Sequence, residues 1–92
     1  MIGNFRDRRL KRYYARGDAR LLPADMLARI RSILARLDIA ESIDDLRLYS
    51  YRLHPLKGDL KGYWSISVKA NWRIIFRFRG GNALDVELID YH

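Results

Sequence analysis

Apolar residues along this chain keep two different spacings, and the change falls near residue 50. Before it they recur every three or four positions. Leu27, Ile30, Leu34 and Leu37, broadened by Met26 and Ile33, form one stripe that predicts a core-facing helix from Pro23 to about Asp38. Pro23 suits a first helical position and Asp25 favours the positive end of the helix dipole. A shorter helix is expected from about Asp7 to Ala15, with Leu10, Tyr13 and Tyr14 on one side, basic residues on the other, and Gly17 as its stop. Ile2 to Phe5 reads as a short strand. Ser42 to Leu46 reads as one further helical turn capped by Ser42.

Beyond residue 48 the period is two. Tyr51 to Leu53 predicts a strand running into His54-Pro55. Tyr63 to Lys69 puts Trp64, Ile66 and Val68 on one face and Tyr63, Ser65, Ser67 and Lys69 on the other. Asn71 to Arg79 puts Trp72, Ile74, Phe76 and Phe78 inward and Arg73, Arg77 and Arg79 outward, with Ala70-Asn71 as the intervening turn. Gly80-Gly81-Asn82 is a second turn, and Leu84, Val86 and Leu88 mark a last inward-facing strand. Strands joined by tight turns pair antiparallel. Helices followed by a meander give an α+β fold, mainly an antiparallel sheet with two N-terminal helices packed on one face.

The 92 residues make one domain, 1–92, without repeats or linkers. Three Phe, two Trp and six Tyr supply much of the bulk of a small core. The absence of cysteine excludes a disulfide scaffold and a thiolate zinc site. The two histidines, His54 and His92, lack metal-ligand spacing, so neither a metal nor another cofactor is expected. No apolar run is long enough to span a membrane, and the charged start shows no export signal.

The net charge of +7 is unevenly spread. Arg6, Arg8, Arg9, Lys11, Arg12, Arg16 and Arg20 crowd the first twenty residues. Lys57, Lys61, Lys69, Arg73, Arg77 and Arg79 form a second block. Two basic blocks point to a polyanion, most often nucleic acid. Basic residues beside hydroxyls and Tyr63 on an outward sheet face suit RNA, where phosphates take cations and bases take stacking partners. The plainer alternative is a solvated polar face, which antiparallel sheets commonly carry.

The groups able to do chemistry are His54, Lys57, Lys61, Arg73, Asp90, Tyr91 and His92. RNA is cut without a metal when a base takes the 2′-hydroxyl proton, an acid protonates the leaving 5′-oxygen and a cation steadies the phosphoryl oxygens. An imidazole, titrating near about 6.5, suits the proton transfers. Arginine's planar fork suits the phosphoryl group. Pro55 holds His54 in an extended conformation. Strict alternation leaves Tyr91 on the Arg73 face and places Asp90 and His92 on the other.

The ordered set His54-Pro55-Leu56-Lys57-Gly58, Tyr63-Trp64-Ser65-Ile66, Asn71-Trp72-Arg73-Ile74 and Asp90-Tyr91-His92 resembles the HigB branch of the RelE-type toxins, the plasmid maintenance killer proteins. The resemblance runs along essentially the whole chain. It implies a RelE-like fold and a type II toxin that inhibits translation by ribosome-dependent mRNA cleavage in the A site of the 70S ribosome, in the bacterial cytoplasm. It implies a HigA-type helix-turn-helix antitoxin, with operator DNA met only through the toxin–antitoxin complex. Carried over, His54, Asp90, Tyr91 and His92 are the acid–base and positioning set and Arg73 the phosphate stabiliser. Lys57, Lys61, Lys69, Asn71 and Arg77 are expected to contact RNA. A non-cleaving ribosome- or RNA-binding relative, and a gyrase-directed toxin of the same fold, remain the alternatives.

Overall fold

The computed structural model describes residues 1–91; His92, a candidate site residue, lies outside the described residues. Helix α1 spans Arg8–Arg16. Its start is set by Asp7, whose Oδ1 accepts the amides of Arg9 and Leu10 at 2.9 and 3.4 Å. Its end is set by Gly17, left-handed at φ 68°, whose amide returns to Tyr13 O at 2.9 Å. Helix α2 spans Leu27–Ile39 and buries Ile30, Ile33, Leu34 and Leu37. Pro23 does not open it. Pro23 stays extended, and its carbonyl takes the Met26 amide in a 3-10 turn over Ala24–Met26 that feeds the helix. The turn expected after Ser42 forms at Ile43–Leu46, and the Asp45 carboxylate accepts the Glu41 and Ser42 amides.

Strands β1 (His54–Pro55), β2 (Trp64–Lys69), β3 (Trp72–Arg79) and β4 (Asn82–Asp90) form an antiparallel sheet in the order β1-β2-β3-β4. The expected strand at Tyr51–Leu53 is absent. Tyr49–Tyr51 is a 3-10 turn closed by Arg52 at φ 47°. Arg29 imposes it: its Nη2 donates to Ser50 O at 2.7 Å and Ser67 O at 2.9 Å, and the guanidinium lies 5.0 Å over the buried Tyr51 ring. Gly80 and Gly81, both at positive φ, close the β3–β4 hairpin.

One sheet face carries Ile66, Ile74, Phe76, Val86 and Leu88 into the core against both helices. Two register irregularities redirect side chains. Between Ile75 and Arg77 the pairing slips at Asp85, which sits at φ 52°, a bulge geometry. Asn4 holds it: Asn4 Oδ1 accepts the Asp85 amide at 3.0 Å and Asn4 Nδ2 donates to Asp85 Oδ1 at 2.8 Å. The slip puts Ala83 in the core and leaves Leu84 opposite Arg77, so Leu84 does not share the inward face of Val86 and Leu88. Between Ser67 and Lys69 a second slip sets Lys69 opposite Trp72. Lys69 therefore turns to the helix side and pairs with Asp25, whose carboxyl it holds below its ordinary value.

The opposite face is not the open polar surface that strict alternation predicts. Tyr63 and Ser65 are buried there, and Ile75 packs with Leu56 and Tyr63 into a second small cluster. The segment from Leu56 to Tyr63 folds back over that face, closed by a backbone bond from the Leu56 amide to Tyr63 O at 2.9 Å. Apolar Ile75 and Ile89 give it something to bury, which a face of charged residues alone would not.

The outer edge of β4 is covered by the chain's own beginning. Ile2 and Phe5 make parallel bridges to Ala83 and Val86, the only part of the expected Ile2–Phe5 strand that forms among the described residues. Ile2 is tied to α2 through its amide and Asp38, and Tyr14 donates to the same carboxylate at 2.7 Å.

Candidate functional site

Sheet register brings the chemistry-bearing residues to one end. His54 pairs with Ser65 and Ser65 with Ile75; one row nearer the end, Ser67 pairs with Arg73 and Arg73 with Ile89. Beyond that row the Tyr91 amide bonds Asn71 O at 2.8 Å, while Asp90 pairs with Trp72. His54, Arg73 and Tyr91 thus share a face, and Asp90 follows the helix-side parity at the same end. Strand spacing puts the His54 and Arg73 Cα atoms roughly 12 Å apart and those of Arg73 and Tyr91 roughly 8 Å. That span admits a phosphodiester between long side chains.

Each member is held differently. His54 is exposed, and its Nδ1 lies 3.0 Å from Arg52 O. A carbonyl can only accept, so Nδ1 carries the hydrogen, and in the neutral ring Nε2 keeps a lone pair for a proton. Left-handed Arg52 aims that carbonyl. Arg73 is half-buried. Its Nη1 donates to Ala70 O at 2.8 Å and Trp72 O at 3.2 Å, with Ser67 Oγ at 3.5 Å. Two carbonyls of its own turn fix the fork at the sheet's end. Tyr91 is 40% exposed, and its amide is anchored to Asn71 O. Ser65 is fully buried beneath, its Oγ without a hydrogen-bond partner among the described residues.

The residues expected to contact RNA separate. Lys57 and Lys61 are exposed on the folded-back segment, and Asn71 is exposed in the turn beside Arg73. Lys69 is at the site's end of the sheet but on the helix side with Asp25. Arg77 is near the far end of β3. Its guanidinium stacks 4.4 Å from the Tyr63 ring centroid, and its Nε is 3.6 Å from Asp85 Oδ2. Gly62 permits this, because a Cβ there would stand 2.7 Å from Arg77 Nη1. Arg6 donates to the Tyr63 hydroxyl at 3.1 Å. Tyr63, Arg77 and Arg6 therefore pin down the segment that carries Lys57 and Lys61.

Sequence reasoning overlooked the support beneath β4. Asp7 is a buried carboxylate. Besides capping α1, its Oδ2 accepts the Leu88 amide at 3.0 Å and Arg9 Nη2 at 2.8 Å, and the same Nη2 donates to Leu88 O at 2.9 Å. Burial pushes the Asp7 carboxyl up, but the hydrogen bond from Arg9, the Leu88 amide, the charge of Arg9 and the Leu10 amide together hold it below its ordinary value. The capping pattern was readable; a bond between residues 7 and 88 was not.

A family model described as a RelE-like toxin of the type II toxin–antitoxin system HigB matches residues 3–92. The chain is 45% identical over 92 residues, the full length of both proteins, to the Endoribonuclease HigB of Proteus vulgaris. It is 35% identical over 90 residues to the Toxin HigB-1 of Vibrio cholerae serotype O1, covering 96% of this chain and 95% of that protein.

Proposed function

The chain belongs to the RelE-like toxins of the HigB type II toxin–antitoxin system, and on that premise we propose that it is an endoribonuclease that cuts mRNA in the A site of the ribosome. The relative from Proteus vulgaris carries an endoribonuclease name over the same full length. The observation that supports the reading is the shared end of the sheet, where His54, Arg73 and Tyr91 stand on one face and Asp90 follows at the same end on the helix-side parity. His92 is the next residue in the chain and joins the set by its place in the terminal motif.

The chemistry is metal-independent transphosphorylation. A base of this set takes the 2′-hydroxyl proton, O2′ attacks phosphorus, the P–O5′ bond breaks, and an acid returns a proton to O5′. The products are a 2′,3′-cyclic phosphate and a 5′-hydroxyl. Arg73, with Nη1 fixed to its turn, presents the rest of its fork to the phosphoryl oxygens, whose charge grows in the transition state. Nε2 of His54, left with its lone pair by the Nδ1 bond to Arg52 O, takes part in the proton transfers. Lys57 and Lys61 contact flanking phosphates, Asn71 the nucleotide beside Arg73, and Lys69 and Arg77 more distant backbone.

Strand spacing sets His54 and Tyr91 well apart on the sheet, so substrate geometry has to be supplied from outside. An mRNA already ordered by the ribosome supplies it, and such positioning is worth about 7–11 kcal/mol. The partners are therefore the 70S ribosome with its mRNA, and a helix-turn-helix antitoxin through which alone operator DNA is met. The setting is the bacterial cytoplasm. Among the described residues no helix is long and apolar enough to cross a membrane.

Induction in cells tests the reading. Wild type stops growth and creates new mRNA 5′ ends within translated regions. His54→Gln, exposed and outside the core, restores growth and lowers those ends by roughly 100-fold, within the range of a lost acid–base group. Arrest by wild type without new ends would assign the protein to the non-cleaving binders. Equal cleavage by His54→Gln would remove His54 from the chemistry.

A further inference from the structure

An edge strand leaves a row of backbone amides and carbonyls without a partner strand. In β4 these groups belong to Ala83, Val86 and Leu88, because the bulge at Asp85 resets the alternation. The first two residues are satisfied by backbone. Met1 O and the Gly3 amide serve Ala83, and Asn4 O and the Arg6 amide serve Val86. At Leu88 the pattern changes from main chain to side chain. The Asp7 carboxylate takes the amide and the Arg9 guanidinium takes the carbonyl, the two bonded to each other. Chain 1–9 thus follows β4 as a strand would, and at Leu88 it does so through two side chains. That contact falls two residues before Asp90.

We propose that Asp7 and Arg9 form a positioning clamp that fixes where β4 ends, and so where Asp90 and Tyr91 stand relative to Arg73. The clamp rests on the ribonuclease reading only in what it says about activity. Arg73 is anchored to its own turn, and the Tyr91 amide bonds Asn71 O just before β3. The spacing across the site is therefore a β3–β4 spacing, held from the far side of β4 by the clamp. The pair is made for this task. One Asp7 oxygen faces the α1 amides and the other faces Leu88, so one carboxylate both starts the helix and locks the strand. Arg9 bonds both oxygens, Nε to Oδ1 and Nη2 to Oδ2, which keeps the carboxylate from rotating out of that double role. Neither side chain belongs to the chemical set; they act through the position of Leu88.

Asp7→Ser tests the clamp, because serine still caps α1 but lacks the second oxygen for Leu88. Arg9→Gln is the second variant if Asp7→Ser does not fold. The first readout is hydrogen exchange by NMR on the free protein. The Tyr91 amide, which the clamp does not touch, exchanges roughly tenfold faster in the variant, while the Ile66 and Ile74 amides in mid-sheet stay within about threefold of wild type. The second is single-turnover cleavage of mRNA on preformed ribosome complexes, compared with a core control, Ile33→Val or Leu34→Ala, of matched melting temperature. Cleavage falls roughly tenfold in Asp7→Ser with ribosome affinity retained, and the control, normalised to folded protein, cleaves as wild type does. Unchanged Tyr91 exchange, or a rise in step with Ile66 and Ile74, overturns the clamp. Loosened Tyr91 with wild-type cleavage overturns its role in positioning. A wild type that never cleaves sinks the ribonuclease reading instead, and the exchange data still decide whether the clamp sets the strand's end.

Discussion

Arg73 and Arg77 stand four residues apart on one strand and one face, and their surroundings give them different work. Arg73 is held by carbonyls, which fix a cation without cancelling its charge. Arg77 meets a carboxylate and an aromatic face, which tie it down and offset part of its charge. A cation–π contact at a partly exposed site is worth about 0.5–1 kcal/mol and an exposed ion pair about 0–1. Arg77→Ala is therefore expected to cost about 1 kcal/mol and to lower the melting temperature by about 4–8 °C in a domain this small. Thermal unfolding by circular dichroism checks it, with Arg79→Ala, exposed at the end of β3, as the comparison that should barely move. Equal melting of the two variants would mean that Arg77 does not hold down the segment carrying Lys57 and Lys61.

The α1–β4 junction makes its own prediction. The Asp7 carboxyl sits below its ordinary value in the folded chain, so the folded state favours the ionised form. Its contribution to stability is fully present above the unfolded value of about 3.9, and it is lost as pH falls through the lower folded value. The stability difference between wild type and Asp7→Asn should be constant from about pH 7 to 5 and shrink below about 4, as urea unfolding at each pH would reveal. A difference that stays the same or grows toward pH 3 would deny the carboxylate that role. Sequence legibility also divides at this scale. The α2 stripe and the alternation in β2 and β3 were plain, because each depends on neighbours within one element. The bulges were hidden, because Asp85 is held by Asn4, 81 residues away, and Lys69 changes face only through its pairing. Burial of the outer face did leave a trace. Ile74-Ile75-Phe76 is an unbroken apolar run, which marks a strand covered on both sides. The motif residues of the site were legible one by one, but their meeting at one end of the sheet depends on register, which sequence does not print.

At the scale of the molecule, the sheet end and the basic helix divide the proposed task. Among the described residues Arg8, Lys11, Arg12 and Arg16 line one side of α1, in a group that includes neither Arg73 nor His54. That surface suits a large polyanion, while the sheet end suits a single phosphodiester. On the proposed reading such a toxin would bind with one surface and cut with another, the ribosome bringing the two targets into one frame. The central claim is that this chain is a nuclease whose site is completed by the ribosome. The most direct measurement is cleavage of a defined mRNA by purified protein, with and without ribosomes positioned on it, comparing wild type with Arg73→Ala. The account predicts cuts at the A-site codon that require the ribosome and that fall at least about 100-fold in Arg73→Ala, the usual cost of removing a group that stabilises transition-state charge. Equal cutting of naked RNA, or wild-type cutting by Arg73→Ala, would contradict it.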